Sequence, residues 1–145
     1  MFAKILYPTD FSDVSKKALD YIKQLKEGGS KEVVVLHVMD VRVVEALHRY
    51  GTESSFEKLE NRMKEEAEQS LAKIEKKLQQ CGLEVTKKIK IGIPLREILR
   101  TEEEEDVSVI VIGSHGRSNL EEMLLGSVSE KVVRKCKKPV LVVKR

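Results

Sequence analysis

Apolar positions in this chain follow two alternating periods. Short runs that are apolar at most positions read as strands, and longer stretches with apolar residues every three or four positions read as helices. The strand-like segments are Phe2–Tyr7, Val33–Val38, Glu84–Ile91, Val109–Ile112 and Pro139–Arg145. Between them the helical pattern covers about Asp13–Glu27, about Ser55–Gln80, a stretch opened by Pro94, and about Ser127–Lys135. Strand and helix alternating from end to end predict a single α/β domain over residues 1–145, with a mostly parallel sheet.

The patterns also rank the elements. Val14, Ala18, Ile22 and Leu25 give the first helix a buried face, with Ser12 or Asp13 as cap and Gly28-Gly29 as its end. Val33–Val38 is apolar on both faces, which fits a central strand. In the third strand Val85, Ile89 and Ile91 point one way and Lys88 and Lys90 the other, a pattern that protects a sheet edge. The long helix carries one stripe, Phe56, Leu59, Met63, Ala67, Leu71, Ile74 and Leu78, which packs on the sheet, a coiled coil being the alternative. Leu95, Ile98 and Leu99 in the third helix, and Val128, Val132 and Val133 in the last, complete the expected core. The charge run Glu102–Asp106 reads as a solvated helix end, and Asp40–Ser54 as a partly helical, mobile excursion.

Right-handed crossovers in such a chain wind the sheet outward and then back past the first strand. The expected fold is a doubly wound five-stranded parallel sheet of order 3-2-1-4-5 with helices on both faces. Its switch point lies between the first and fourth strands, outside whose carboxyl ends ligands bind. The most polar strand exits belong to those two strands: Pro8-Thr9-Asp10 and Gly113-Ser114-His115-Gly116.

Composition narrows the function. A chain of 145 residues buries about 68–70% of its unfolded surface. Its 27 basic and 24 acidic residues are interspersed and leave a net charge of only +3, without the basic stripe that nucleic acid demands. No apolar run reaches the length of a membrane span and no basic-then-apolar leader opens the chain, so a cytoplasmic protein with reduced Cys81 and Cys136 is expected. His37, His48 and His115 do not form metal-ligand spacing. His37, inside an apolar strand, reads as a satisfied core histidine rather than a ligand.

The stretch after the fourth strand carries the chemistry. Gly113 and Gly116 can take positive φ and let N–H groups converge on an anion. Gly126-Ser127 opens a helix whose first N–H groups and dipole favour phosphate. Ser118, Ser127 and Ser129 add hydroxyls and Arg117 a cation. A tight strand-to-helix turn is the plain alternative, and Asp10 is open to a role as cap of the first helix.

Gly-x-x-Gly, nine residues, then Gly-Ser resembles the nucleotide-binding signature of the universal stress protein family. The resemblance extends to the opening ILYPTD, the LHV exit of the second strand, the GIP turn at Gly92-Ile93-Pro94 and the PVLVV ending, and is greatest to single-domain, archaeal-type, ATP-binding members. It implies an adenine-nucleotide α-hydrolase-like, Rossmann-like fold and ATP as ligand, with Mg or Mn as the accompanying metal. It also implies that Pro8, Thr9 and Asp10 lie beside the adenosine, Asp10 accepting from the ribose hydroxyls. Val38 and Met39 would face adenine. Gly113, Ser114, His115, Gly116, Arg117, Ser118 and Asn119 would wrap ribose and phosphates, and Gly126, Ser127, Val128 and Ser129 would close the phosphate side.

No G-x-x-x-x-G-K-[ST] loop is present and no general base is evident, so no catalytic residue is assigned. The expected function is an ATP-binding switch or sensor in stress response. The alternatives are a nucleotide-independent interaction module and a slow, partner-dependent ATPase. Val140–Val143 is uncharged and apolar on both faces at a predicted edge, which invites a two-fold homodimer through antiparallel fifth strands.

Overall fold

The computed structural model describes residues 1–50, 53–115 and 126–145, with the side chains of 50 and 53–56 outside that description. Five strands form one parallel sheet: β1 (Lys4–Pro8), β2 (Glu32–Asp40), β3 (Glu84–Gly92), β4 (Val109–Gly113) and β5 (Val140–Val143). Their order is β3-β2-β1-β4-β5, the order expected from the crossover rules. The helices are α1 (Asp13–Glu27), α2 (Val41–Tyr50), α3 (Glu53–Gln80), α4 (Pro94–Glu104) and α5 (Ser127–Lys135).

Strand alternation sends successive side chains to opposite faces, and helices cover both. Ile5, Tyr7, Val33, Val35, Val109 and Val111 pack against Ala18, Leu19 and Ile22 of α1 and Leu71, Ile74 and Leu78 of α3. Leu6, Val34, Leu36, Ile110 and Ile112 pack on the other face against Ile98 of α4 and Val132 of α5. The three middle strands are therefore buried on both sides, as their unbroken apolar runs require.

Several details depart from the sequence reading. The first strand begins at Lys4 and runs through Pro8, two residues later at its start than expected. The excursion after β2 holds a full ten-residue helix, α2, beside β2, β3 and α3. Among the described side chains of the α3 stripe, Ala67, Leu71, Ile74 and Leu78 are buried, while Leu59 is 42% exposed; Phe56 lies outside that description. In α5 the exposed member is Val133, and Ser129 takes the buried place. Leu95 and Leu99 are half-buried beside a fully packed Ile98. Ile91 sits 43% exposed at the end of the β3 edge, and Lys88 ion-pairs with Glu105 at 2.7 Å.

The run Glu102–Asp106 is not a plain solvated end. Glu102 is 3% exposed, and its Oε1 accepts the backbone N–H groups of Lys137 and Lys138 at 2.8 Å each. Glu103 pairs with Lys137, and Glu105 with both Lys4 and Lys88. These carboxylates tie the end of α4 to the α5–β5 turn and to two strands. Asp106 follows with φ 47°. Among the described residues no helix is long and apolar enough to cross a membrane.

Candidate functional site

The carboxyl ends of β1, β2 and β4 open into a cavity of about 710 Å³, within the roughly 300–1,000 Å³ of small-molecule sites. Its walls come from the β1–α1 loop, the end of β2, α2, α3, the start of α4, the end of β4 and the first turn of α5. That is the predicted switch point. Pro8, Thr9, Asp10, Val38, Met39, Gly113, His115, Ser127, Val128 and Ser129 all line it. Ser114 is wholly buried directly behind it. Gly116, Arg117, Ser118 and Asn119 lie outside the described residues.

A compact hydrogen-bond network holds the β1–α1 loop. Thr9 N–H donates to Leu36 O at 2.9 Å, extending the ladder to β2 by one residue. Thr9 O lies 2.8 Å from His37 Nδ1, and because a carbonyl oxygen only accepts, the proton sits on Nδ1. Ser15 Oγ donates to Thr9 Oγ1 at 2.6 Å, and Phe11 N–H donates to the same oxygen at 3.0 Å. Tyr7 OH donates to Ser15 O at 2.5 Å below them, and burial raises its pKa above the ordinary tyrosine value.

Phe11 has φ 64°, a conformation that costs a bulky side chain about 1–3 kcal/mol. Its ring stacks on His37 with centroids 4.5 Å apart. Ser12, not Asp10, is the cap of α1, its hydroxyl accepting from Ser15 N–H at 3.3 Å. Asp10 instead accepts from Ser12 N–H through Oδ1 at 2.9 Å, an Asx turn that swings the carboxylate to the cavity wall.

At the end of β2, Val38 packs toward the α4 and α5 face, while Met39 is 2% exposed. Asp40 accepts from Arg42 Nε and Nη2, and that contact holds its carboxyl below the usual carboxylate range.

Gly113 does not adopt positive φ; among the described glycines that conformation belongs to Gly29 and Gly82, each just past a helix end. Its need for glycine is steric. A Cβ there would lie 3.1 Å from Val14 Cγ1 and 3.3 Å from Ser15 N, so only a bare backbone lets α1 come this close to β4. Beyond it, Ser114 N–H donates to Val143 O at 2.7 Å and Ser114 O accepts from Gly126 N–H at 2.5 Å. Ser114 Oγ and His115 Nδ1 share a 2.7 Å hydrogen bond. Ser129 Oγ donates to Gly113 O at 2.6 Å, so this hydroxyl secures α5 to β4 and is committed within the protein.

Those bonds fix the first turn of α5 against the cavity. Helix geometry leaves the first N–H groups without intrahelical acceptors, and the helix dipole places positive potential there. Gly126 is the N-cap and adds no side chain over them. The site therefore pairs an anion-holding end at α5 with an apolar wall of Val38, Met39, Val43, Met63, Pro94 and Ile98. Val43, Met63, Pro94 and Ile98 gave no functional signal in the sequence, because apolar residues at helical spacing look the same against a core and against a ligand. Phe11 and His37 also line the cavity; His37 is satisfied by Thr9 O, in keeping with its reading as a satisfied histidine, and Phe11 carried no signal in the sequence.

Residues 1–144 match the universal stress protein family. A universal stress protein of Methanocaldococcus jannaschii is 44% identical over 156 residues, covering 100% of this chain and 96% of that protein. The solved structure of the same protein superposes with a TM-score of 0.91 at 45% identity, covering 100% and 97% of the two chains. A universal stress protein from Archaeoglobus fulgidus in complex with dAMP has a TM-score of 0.67 at 21% identity over 99% of this chain and 98% of that one. Another, in complex with cAMP, has a TM-score of 0.65 at 20% identity over 99% and 97%.

Proposed function

The chain belongs to the universal stress protein family, and from that premise we propose that it is an ATP-binding switch or sensor in stress response, acting in the cytoplasm. The observation that carries this reading is the single cavity into which the β1, β2 and β4 exits and the α5 N-terminus converge. Two proteins that share the fold form complexes with dAMP and cAMP, which supports an adenine nucleotide as the ligand class. The residues of this chain supply the rest. Asp10 accepts from the ribose hydroxyls, Val38 and Met39 flank the base, and Gly113, His115 and the first turn of α5 at Ser127–Ser129 face the phosphates, with Ser114 buried out of reach. Gly116–Asn119, expected to wrap ribose and phosphates, lie outside the described residues. Hydrogen bonds to a charged group contribute about 1.5–3 kcal/mol each, so a few suffice for the roughly 8 kcal/mol of a micromolar complex.

Among the described residues no cluster of His, Cys, Asp and Glu could hold a metal ion, so Mg or Mn would arrive on the phosphates. The cavity carboxylates are engaged: Asp10 with Ser12 N–H, Asp40 with Arg42, and Glu66 with Arg62 at 3.4 Å. The reading as a holder of ATP rests on the lack of a G-x-x-x-x-G-K-[ST] loop in the sequence. β5 is the free edge beyond β4, with Leu141 36% exposed, and it pairs with β5 of a second copy in a two-fold dimer.

Equilibrium dialysis against ATP tests the site, with Gly126→Val as the contrast. Gly126 has φ −68° and ψ 161°, which valine also adopts, so the variant keeps its backbone while covering the α5 N–H groups. The natural chain retains ATP and the variant loses it. Equal retention, or none by either, refutes the phosphate site and leaves the nucleotide-independent dimeric module. ATP turnover well above a metal-only blank would make the protein an enzyme.

A further inference from the structure

His37 joins two strand exits that the cavity needs in register. It lies on the same face of β2 as Val33 and Val35, yet its ring turns to the β1–α1 loop, where Nδ1–H donates to Thr9 O at 2.8 Å. Thr9 N–H is already bound to Leu36 O, so both backbone groups of Thr9 are anchored to β2. The next residue is Asp10, and the one after is Phe11, held at φ 64° with its ring against His37. A strained turn persists only where its surroundings over-determine it. Here the surroundings are the His37 ring below and Thr9 Oγ1, which accepts the Phe11 N–H.

We infer that His37 is a positioning residue for sugar recognition: its Nδ1–H and ring fix the Thr9–Phe11 turn and thereby place the Asp10 carboxylate for the ribose. The inference rests on the adenine-nucleotide reading and adds to it a residue that acts through the Thr9–Phe11 turn. His37 acts on the β1 exit alone. The α5 first turn is fixed by Ser114 and Ser129 and does not depend on it.

The geometry supplies its own test. An asparagine side chain carries an N–H donor near the place of histidine Nδ1, and a glutamine carries its donor near the place of Nε2. The affinities of ATP and 2′,3′-dideoxy-ATP are compared by calorimetry for the natural chain, His37→Leu, His37→Asn and His37→Gln. The natural chain prefers ATP by about tenfold, the equivalent of one well-placed hydrogen bond. In His37→Leu and His37→Gln that ratio falls toward one while dideoxy-ATP binds as before, and in His37→Asn, which keeps the donor without the ring, it returns in part. If the leucine variant fails to fold, the asparagine–glutamine contrast still decides. An unchanged ratio in His37→Gln, no recovery in His37→Asn, or no ribose preference in the natural chain overturns the inference while leaving ATP binding intact. Failure of the natural chain to bind ATP at all would instead overturn the nucleotide reading.

Discussion

Glu102 is the residue whose removal separates this structure most sharply from a charge-pattern reading. Its side chain is 3% exposed, and a single oxygen, Oε1, accepts two backbone N–H groups at 2.8 Å, from Lys137 and Lys138. Hydrogen bonds to a charged acceptor contribute about 1.5–3 kcal/mol each. Lys137 is exposed, so water can replace part of what its N–H would lose. Glu102→Ala should therefore destabilise the domain by about 3 kcal/mol rather than by the full sum. For a domain of this size that lowers Tm by about 6–12 °C. Glu102→Gln keeps an acceptor oxygen at the same place and gives up only the charge, so it should cost about 1 kcal/mol, or roughly 2–4 °C. Calorimetric melting of the three proteins reads the difference. An alanine variant melting within about 2 °C of the natural chain, or a glutamine variant as unstable as alanine, would refute the argument.

Two further outcomes follow from the packing. Gly113→Ala places a methyl 3.1 Å from Val14 Cγ1 and 3.3 Å from a backbone nitrogen, so α1 must shift; a loss of about 1–3 kcal/mol in urea unfolding is expected, and a neutral result would contradict the close approach. Glu105 is held below its ordinary pKa first by its hydrogen bond to Lys88 and then by that to Lys4. Its folded value is depressed, so its contribution is complete above about pH 4.3 and is lost as pH falls through the folded value. Urea midpoints of Glu105→Gln should lie below those of the natural chain at neutral pH and converge with them in acid; a gap that widens in acid would show the sign to be wrong.

The strand order was legible because it depends on few, coarse signals: five apolar runs, helices between them, and the handedness of crossovers. Lysines at β3 and an uncharged β5 placed the two edges for the same reason. What was not legible depends on distance rather than pattern. A glutamate reads alike whether it faces water or two N–H groups brought from thirty-five residues away, so Glu102 and its neighbours passed for a solvated end. Gly113 was expected to bend the backbone, whereas its lack of a Cβ serves the contact with α1. Phe11 carries no residue-type signal for positive φ, since bulky side chains avoid it. The α2 segment has Val43, Val44 and Leu47 at helical spacing, but a ten-residue helix is too short for spacing alone to establish.

The layout of the cavity bears on how the proposed nucleotide would lie in it. Along the sheet, the β4 side ends in the first turn of α5, where N–H groups and the helix dipole attract negative charge. The β2 side ends in Asp40, Glu66, Val43 and Met63, two carboxylates set among apolar side chains. A phosphate chain placed on the β2 side would meet Asp40 and Glu66, and the α2 N-terminus there is already capped by Asp40, whose Oδ1 accepts from Arg42 N–H at 2.9 Å. A base placed on the α5 side would leave that helix's N–H groups covered by an apolar face. The two ends are also built differently. The α5 end is fixed by backbone and buried-serine hydrogen bonds that leave little room for variation. The β2 end is walled by side chains of α2 and of α3 between Met63 and Ser70. On the nucleotide reading, Val43 and Met63 would tune selectivity for the base, and the turn at Thr9–Phe11, between the two ends, would set where the sugar lies.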